Sequence, residues 1–132
     1  MSISQPNDTT VHITAGMAGP FQKLSLTGKL LYGQIDTAKA LLLEQIIPAP
    51  GYIFDTRGME AIDSTGFGLF ITIAKQIQKT PNSVVIIVED NSLREYFTIA
   101  KFDLIFPLVD NEAKAIEVLA NKATTMLSLE EY

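Results

Sequence analysis

The hydrophobic pattern along the chain first predicts strands. Leu24 and Leu26 alternate with polar residues over 21–27, which is the period of a half-buried strand. Residues 84–88 are five β-branched apolar residues in a row, typical of a strand buried in a parallel sheet. Pro107 favours an edge position for the last strand. In all, the pattern predicts five strands, at residues 11–15, 21–27, 52–55, 84–88 and 104–109.

Helical periodicity fills the intervals between the later strands. Asp36 is the predicted N-cap of a first helix over 37–44, which Pro48 and Pro50 prevent from continuing. The sequence Ser-Leu-Arg-Glu at 92–95 is a capping box that predicts a helix to about residue 100, and Asp110 is the predicted cap of the last helix. That last helix has an apolar stripe formed by Ala113, Ile116, Ala120, Ala123 and Leu127.

The helix predicted over 64–79 differs because apolar residues extend beyond its main stripe. The stripe that should face the core consists of Phe67, Phe70, Ile71, Ala74 and Ile77. Leu69 and Ile73 fall at the margin of the polar face, beside Gly68 and Thr72. We therefore expect Leu69 and Ile73 to be exposed apolar contacts.

The order of these elements predicts the fold class. The Gly19-Pro20 turn should join two antiparallel strands, and the alternation of helix and strand that follows is typical of a parallel sheet with right-handed crossovers. We expect one α/β domain over residues 1–132, with about five mostly parallel strands and about four helices. The pattern leaves open whether the helices share one face. Residues 1–10 are expected to be flexible, and 128–132 a frayed tail.

Composition narrows the functional classes. The 132 residues are 47% hydrophobic and 19% charged, which is ordinary for a globular domain. The chain has no cysteine and a single histidine, His12, so thiolate and multi-histidine metal sites are excluded. A net charge of −5 disfavours nucleic-acid binding. Without a long apolar run or a leader-like start, we expect a cytoplasmic protein with no membrane insertion.

One segment carries chemical information. The strand over 52–55 should run into a loop over 56–66, at the carboxyl edge of the sheet where ligands and partners gather. Asp63 and Ser64 stand at the start of the next helix, where free N–H groups and the helix dipole favour negative charge. A phosphate on Ser64 would meet donors there. From the residues alone, the simpler explanation is that both side chains are helix caps, since Ser and Asp are the usual residues there.

These residues resemble the signature of a known family. Asp55, followed by Gly58 and then by Asp63-Ser64-Thr65-Gly66-Phe67-Gly68 at the start of a helix, is similar to the signature of STAS domains, specifically the bacterial anti-sigma factor antagonists. The resemblance extends over about residues 24–119. The family commonly has an acidic residue shortly after the second strand, whereas residues 29–34 of this chain contain none.

The resemblance implies a switch in partner binding. Ser64 matches the family's phosphorylation site, which an anti-sigma factor that is an ATP-dependent serine kinase would modify and a PP2C-type serine phosphatase would restore. The unphosphorylated form would bind the kinase and free a sigma factor. The implied function needs no enzyme activity, cofactor or metal. The expected partner-binding residues are Asp55, Asp63, Ser64, Thr65, Gly66, Gly68, Leu69, Thr72 and Ile73.

Other functions remain open at this stage. A STAS domain of this kind could instead be a scaffold or a regulatory subunit of a signalling assembly or a transporter. A hydrolase would need His12 beside Ser64, and a magnesium site would need Asp55, Glu60 and Asp63 together. Gly66-Phe67-Gly68 is a lone GxG, so a nucleotide site is weakly supported.

Overall fold

A five-stranded sheet lies at the centre of the molecule. The computed structural model describes residues 11–77 and 83–130, with side chains as far as Asn121. Strands lie side by side in chain order, with β1 and β5 at the edges. β1 pairs antiparallel with β2, and all later pairs are parallel, as predicted. The strands are β1 (His12–Ala18), β2 (Phe21–Leu30), β3 (Tyr52–Ile62), β4 (Val84–Ile87) and β5 (Leu108–Val109).

Four helices cover the sheet unequally. Buried residues of the first three pack into one core on one face, and those of the fourth pack into a second core on the other. The sequence pattern left open whether the helices share one face of the sheet. In the structure, three helices lie on one face and the fourth lies on the other. The helices are α1 (Ile35–Gln45), α2 (Ser64–Ile77), α3 (Asn91–Ile99) and α4 (Glu112–Glu130), with a short 3-10 turn, η1 (Phe102–Leu104), after α3.

The larger core is built around aromatic rings. Phe54 of β3 meets Phe70 of α2 with ring centroids 5.2 Å apart, and Phe97 of α3 meets Phe102 at 5.6 Å. Tilted and edge-on arrangements of this kind add to the burial of apolar area. The rings attach α2 and α3 to the sheet, so the amino end of α2 has a rigid support.

Three of the predicted helix starts are wrong by one or two residues. α1 begins at Ile35 after Gln34, which makes no side-chain cap, and Asp36 lies inside the first turn. Asp90 rather than the 92–95 box caps α3, by accepting from the Ser92 N–H at 3.1 Å. The amide oxygen of Asn111 accepts from the Lys114 N–H at 2.8 Å, while Asp110 forms an ion pair with the Lys114 side chain. Neighbouring Asp, Asn and Ser compete for one cap, and periodicity does not rank them.

Two predicted apolar stripes are also partly wrong. Leu69 and Ile73 are buried, at 3% and 0% exposure, because α2 packs on the sheet and beside α1, which buries more than one stripe. Among the described side chains of α4, Ala115 and Leu119 are buried, whereas Ala113 and Ala120 are exposed. Alanine is a weak signal of orientation, since it is common on both faces of helices. The predicted positions Ala123 and Leu127 lie outside the described side chains.

The last strand is shorter than predicted, and only part of the predicted chain ends can be checked. The strand predicted over 104–109 is reduced to the two residues of β5, because η1 takes up the residues before it. Its edge position is as predicted, and Pro107 contributes only its carbonyl to the Ile86 N–H. The expected flexible segment 1–10 lies outside the described residues, whereas α4 includes the first three residues of the predicted frayed tail.

Candidate functional site

The strand that leads to the candidate site is longer than predicted. β3 continues to Ile62, so residues 56–62 form a strand and not the predicted loop. It pairs with β2 throughout, with register shifts between Ser25 and Thr27 and between Gly28 and Lys29. Irregularities of this kind twist a strand and are hard to read from a hydrophobic pattern. As a result, Asp63 alone separates the strand from α2, and Ser64 is held close to the sheet.

Asp63 is the cap of α2. Its Oδ1 accepts from the backbone N–H of Thr65 at 3.0 Å and of Gly66 at 3.2 Å, and also from the Thr65 hydroxyl. These are the N–H groups that a helix start leaves without an intrahelical acceptor. The carboxylate thereby fixes the direction of the first turn.

The second oxygen of Asp63 binds a different part of the chain. Oδ2 accepts from the backbone N–H of Tyr32 at 2.9 Å, and the Asp63 N–H donates to the carbonyl of Leu30 at 3.3 Å. The Thr65 hydroxyl, followed by the Tyr32 N–H and the other donors, holds the pKa of Asp63 below its usual value. The segment after β2 and the start of α2 are therefore joined through one ionised side chain.

Ser64 is exposed in the first turn of α2. The hydrogen bonds of the cap use Asp63, Thr65, Gly66 and Tyr32, and none of them uses the Ser64 side chain. Its hydroxyl therefore lies at the positive end of a helix of 14 residues, outside both cores. A group attached to this oxygen would enter solvent.

The exposed face of α2 continues from Ser64 with small side chains. Gly68 and Thr72 follow at intervals of four residues, and both are exposed. A Cβ built on Gly68 would meet nothing within 4 Å. On Gly66 it would lie 2.6 Å from the carbonyl oxygen of Leu30, so Gly66 is required by packing while Gly68 is not.

Not all of the predicted partner-binding residues share this face. Leu69 and Ile73 belong to the core, which is a correction to their expected exposure. Asp55 is also buried, at 7% exposure, and alternation along β3 puts it on the α4 side of the sheet with Ile53. The residues that the structure brings together on an accessible surface are Asp63, Ser64, Thr65, Gly68 and Thr72.

Asp55 has a partner of its own. Arg57 binds it in a bidentate arrangement, with Nε to Oδ1 at 2.9 Å and Nη2 to Oδ2 at 2.7 Å. Burial acts to raise the pKa of Asp55, but the hydrogen bonds and charge of Arg57 outweigh it, so the pKa lies below its usual value. The pair stabilises the middle of β3, where its register against β2 changes.

Tyr32 is a residue that the sequence reasoning missed. Its side chain is 85% exposed, although its backbone is held by Asp63. Beside it is a shallow cavity of about 350 Å³, lined by Tyr32, Gly33, Ile35, Asp36 and Thr65. β2 and β3 are parallel and end at the same edge of the sheet, so a residue that follows β2 directly lies near the β3–α2 junction. The position of Tyr32 after this strand was therefore the signal in the sequence that could have identified it.

The alternative chemistries gain no geometric support. His12 is exposed on the edge strand β1, opposite Thr27. Within residues 11–77 and 83–130, no three His, Asp or Glu side chains form a group that could hold a metal ion. In the same residues, no helix combines the length and apolar character that crossing a membrane requires.

Comparison with known proteins identifies the family. The STAS domain family model matches residues 18–115, which include β2, the Asp63–Ser64 junction and α2. The chain therefore belongs to the STAS domain family. No curated protein sequence matches it significantly.

Solved structures share the fold at low sequence identity. An anti-sigma factor antagonist from Mycobacterium paratuberculosis has a TM-score of 0.70 at 14% identity, with 89% of this chain and 99% of that chain covered. The anti-sigma factor antagonist SpoIIAA in its unphosphorylated form gives 0.64 at 15%, with 83% and 97% covered. Phosphorylated SpoIIAA from Bacillus gives 0.53 at 14%, with 80% and 97% covered. The α/β architecture predicted from the sequence is thus confirmed.

Proposed function

We propose that this protein is an anti-sigma factor antagonist that is switched by phosphorylation of Ser64. In its unphosphorylated form it binds an anti-sigma factor that is an ATP-dependent serine kinase, and so frees a sigma factor in the cytoplasm. A PP2C-type serine phosphatase restores the binding form. The chain itself acts as a binding module and not as an enzyme. The observation that carries the proposal is the exposed hydroxyl of Ser64 at the capped start of α2.

The site can accept charge without loss of the fold. A phosphoserine adds about −1.5 to −2 charge at pH 7. The dipole at the start of α2 offsets part of the cost, by about 0.3–1 kcal/mol at an exposed position. Asp63 repels the phosphate, but neither the cap nor the core uses the Ser64 hydroxyl. The phosphate therefore alters the surface and leaves the interior intact.

The same charge would strongly affect an interface. A typical partner covers about 800 Å² of each protein, and the whole surface of the chain is 7803 Å². A footprint centred on α2 and Tyr32 would enclose Ser64. Burying an unpaired dianion costs several kcal/mol, which corresponds to about two decades of affinity.

Two solved neighbours support the direction of this proposal. The fold of this chain is similar to that of SpoIIAA, an anti-sigma factor antagonist whose structure has been determined in unphosphorylated and phosphorylated forms. That fold therefore accommodates a phosphorylated state. In this chain Ser64 belongs to the sequence Asp-Ser-Thr-Gly, and its side chain is exposed.

Mapping the phosphorylated residue tests the proposal. The purified chain is incubated with ATP and an anti-sigma factor serine kinase, and the modified residue is located by mass spectrometry. We expect one phosphate on Ser64 and none in Ser64→Ala. Ser92→Ala is the matched control, because Ser92 is an exposed serine in the first turn of α3. Modification only at other residues, or none, would favour the scaffold alternative.

A further inference from the structure

The first turn of α2 contains two neighbouring hydroxyl groups, those of Ser64 and Thr65. Both are aliphatic alcohols of the kind that accept a phosphoryl group in proteins, so residue type alone does not rank them. Thr65 is only half-buried and lines the shallow cavity beside Tyr32, so burial does not shield it from an approaching kinase. Modification of one hydroxyl and not the other therefore needs a further cause.

The two hydroxyls differ in their hydrogen bonds. The hydroxyl of Thr65 donates to Oδ1 of Asp63, the same oxygen that accepts from the Thr65 N–H at 3.0 Å. None of the hydrogen bonds of this cap uses the hydroxyl of Ser64. A hydrogen bond to an ionised carboxylate is roughly twice as strong as one between neutral groups. The Thr65 hydroxyl is therefore held by Asp63, and the Ser64 hydroxyl is not.

Phosphoryl transfer to Thr65 would have to break this hydrogen bond. In the transfer a bond forms between the hydroxyl oxygen and the γ-phosphorus of ATP, the bond to the ADP oxygen breaks, and the hydroxyl proton passes to a base of the kinase. Loss of a hydrogen bond to a charged group before the transfer slows it by roughly ten- to hundredfold. The γ-phosphate would in addition approach the Asp63 carboxylate, which has the same sign of charge. Ser64 meets the first of these obstacles not at all.

Asp63 is poorly suited to act as the base for Thr65 itself. Its Oδ1 accepts from three donors of the first turn, and the Thr65 hydroxyl, followed by the Tyr32 N–H, lowers the pKa of its carboxyl group. A general base works best when its pKa lies near the ambient pH. The hydrogen bond therefore holds the Thr65 hydroxyl without activating it.

Phosphate on Thr65 would also disrupt the start of α2. A phosphorylated Thr65 has no hydroxyl proton to donate to Asp63, and its negative charge would repel the carboxylate that caps the helix. Phosphate on Ser64 leaves these hydrogen bonds in place. A switch that preserves the fold thus depends on restricting the modification to Ser64.

We propose that Asp63 directs phosphorylation to Ser64 by holding the hydroxyl of Thr65. Asp63 is then a positioning residue that sets the specificity of the modification, in addition to capping α2. This inference rests on the proposed function, since it requires a kinase that docks at this site.

Phosphate mapping in Asp63 variants tests the selection. Each full chain is incubated with ATP and the anti-sigma factor kinase, and mass spectrometry gives the ratio of phosphate on Thr65 to phosphate on Ser64. Weaker docking of the kinase affects both sites of one sample alike. Asp63→Ala should raise the ratio about tenfold or more, because it releases the Thr65 hydroxyl. Asp63→Asn is the matched control, since its amide oxygen still accepts from Thr65 and the ratio should stay near that of the wild type.

A second variant separates the hydrogen bond from the residue type. Thr65→Ser keeps a hydroxyl that can donate to Asp63, so position 65 should remain unmodified. A kinase that merely prefers serine to threonine would instead modify it. This variant also retains the cap of α2, so its result stands even where circular dichroism shows that Asp63→Ala is unfolded.

The outcomes distinguish this inference from the proposed function. A wild type without phosphate on Ser64 would overturn the proposed function and the selection with it. Phosphate on Ser64 together with an unchanged ratio in Asp63→Ala, or modification of position 65 in Thr65→Ser, would overturn the selection alone. A folded Asp63→Ala variant that is modified at neither residue would do the same, because Asp63 would then serve the docking of the kinase.

Discussion

At the scale of single residues, the carboxylate of Asp63 has two separate tasks. One oxygen caps α2 and the other holds the backbone of Tyr32. Both tasks need an acceptor, but only the cap can be performed by an amide side chain. The two contributions can therefore be separated by substitution.

Substitution of Asp63 should show this division. Asp63→Ala removes the cap and should lower the free energy of unfolding by about 1 kcal/mol, as for other N-caps. Asp63→Asn should cost less, because the amide oxygen can still cap the helix. Its NH2 group would replace the acceptor of the Tyr32 N–H, so hydrogen exchange at Tyr32 should accelerate. Chemical denaturation and amide exchange measure the two effects, and equal behaviour of both variants would contradict the division.

Tyr32 should contribute to binding and not to folding. Its side chain is 85% exposed, so Tyr32→Ala should leave the free energy of unfolding within about 0.5 kcal/mol of wild type. Exposed tyrosines on a rigid backbone are common anchors of interfaces, so the affinity for the kinase should fall about tenfold. Met17→Ala is the control in this calorimetric titration, because Met17 is 54% exposed and pairs near the start of β2, whereas Tyr32 follows the end of that strand. An unchanged affinity for Tyr32→Ala would place the kinase footprint elsewhere.

The sequence predicted which residues lie at the start of α2 better than it predicted the contacts that the site residues make. The motif indicated Asp63 and Ser64 at a helix start, where the structure has them. It did not reveal that Asp55 is held by Arg57, because that contact depends on both side chains extending to the same side of β3. Nor did it reveal Tyr32, whose role depends on the spatial neighbourhood of two strand ends.

At the scale of elements, α2 contains two glycines with different functions. Gly66 allows the helix to approach β2, whereas Gly68 faces open space. A glycine on an exposed helix position costs about 0.5–1 kcal/mol relative to alanine. Its presence is explained if a partner approaches the helix at that point.

Alanine at these two positions should therefore have opposite effects. Gly66→Ala should lower the free energy of unfolding, because the new Cβ meets the Leu30 carbonyl at 2.6 Å and Ile62 at 2.7 Å. Gly68→Ala should raise it by about 0.5–1 kcal/mol, while the affinity for the kinase falls. Urea denaturation and a binding titration test both. A Gly68→Ala variant that binds as tightly as wild type would remove α2 from the interface.

Strands were predicted correctly where the hydrophobic pattern follows directly from burial. β2 and β4 were predicted because alternation and continuous apolar runs report directly on burial. The length of β3 was not, because residues 56–62 pair with β2 through two register shifts. The burial of Leu69 and Ile73 was missed since α2 has a neighbouring helix as well as the sheet beneath it.

At the scale of the whole molecule, the free energy of unfolding depends on pH through acidic side chains. The pKa values of Asp55 and Asp63 are lowered in the folded chain. Groups of this kind stabilise the fold above their unfolded pKa, and the contribution is lost as the pH falls through the folded pKa.

The free energy of unfolding should therefore decrease on acidification from about pH 5 towards pH 2. Asp55→Asn should be less stable than wild type at pH 7, because Arg57 loses its bidentate partner. Its stability should also change less over the acidic range. Urea titrations at several pH values measure both, and parallel curves for the two proteins would show that Asp55 does not contribute.

The overall architecture was predictable because it depends on element order more than on exact boundaries. Alternation of helix and strand favours parallel pairing, and the antiparallel first pair followed from one short turn. The division of helices between two faces was not predictable, since a helix that follows the last strand can return on either side.

The most direct test of the account compares the chain with and without phosphate on Ser64. The affinity for the anti-sigma factor kinase and the free energy of unfolding are measured for both forms. We predict that phosphorylation weakens binding about a hundredfold and changes the free energy of unfolding by less than about 1 kcal/mol. Equal affinity of the two forms, or loss of the folded state on phosphorylation, would contradict the account.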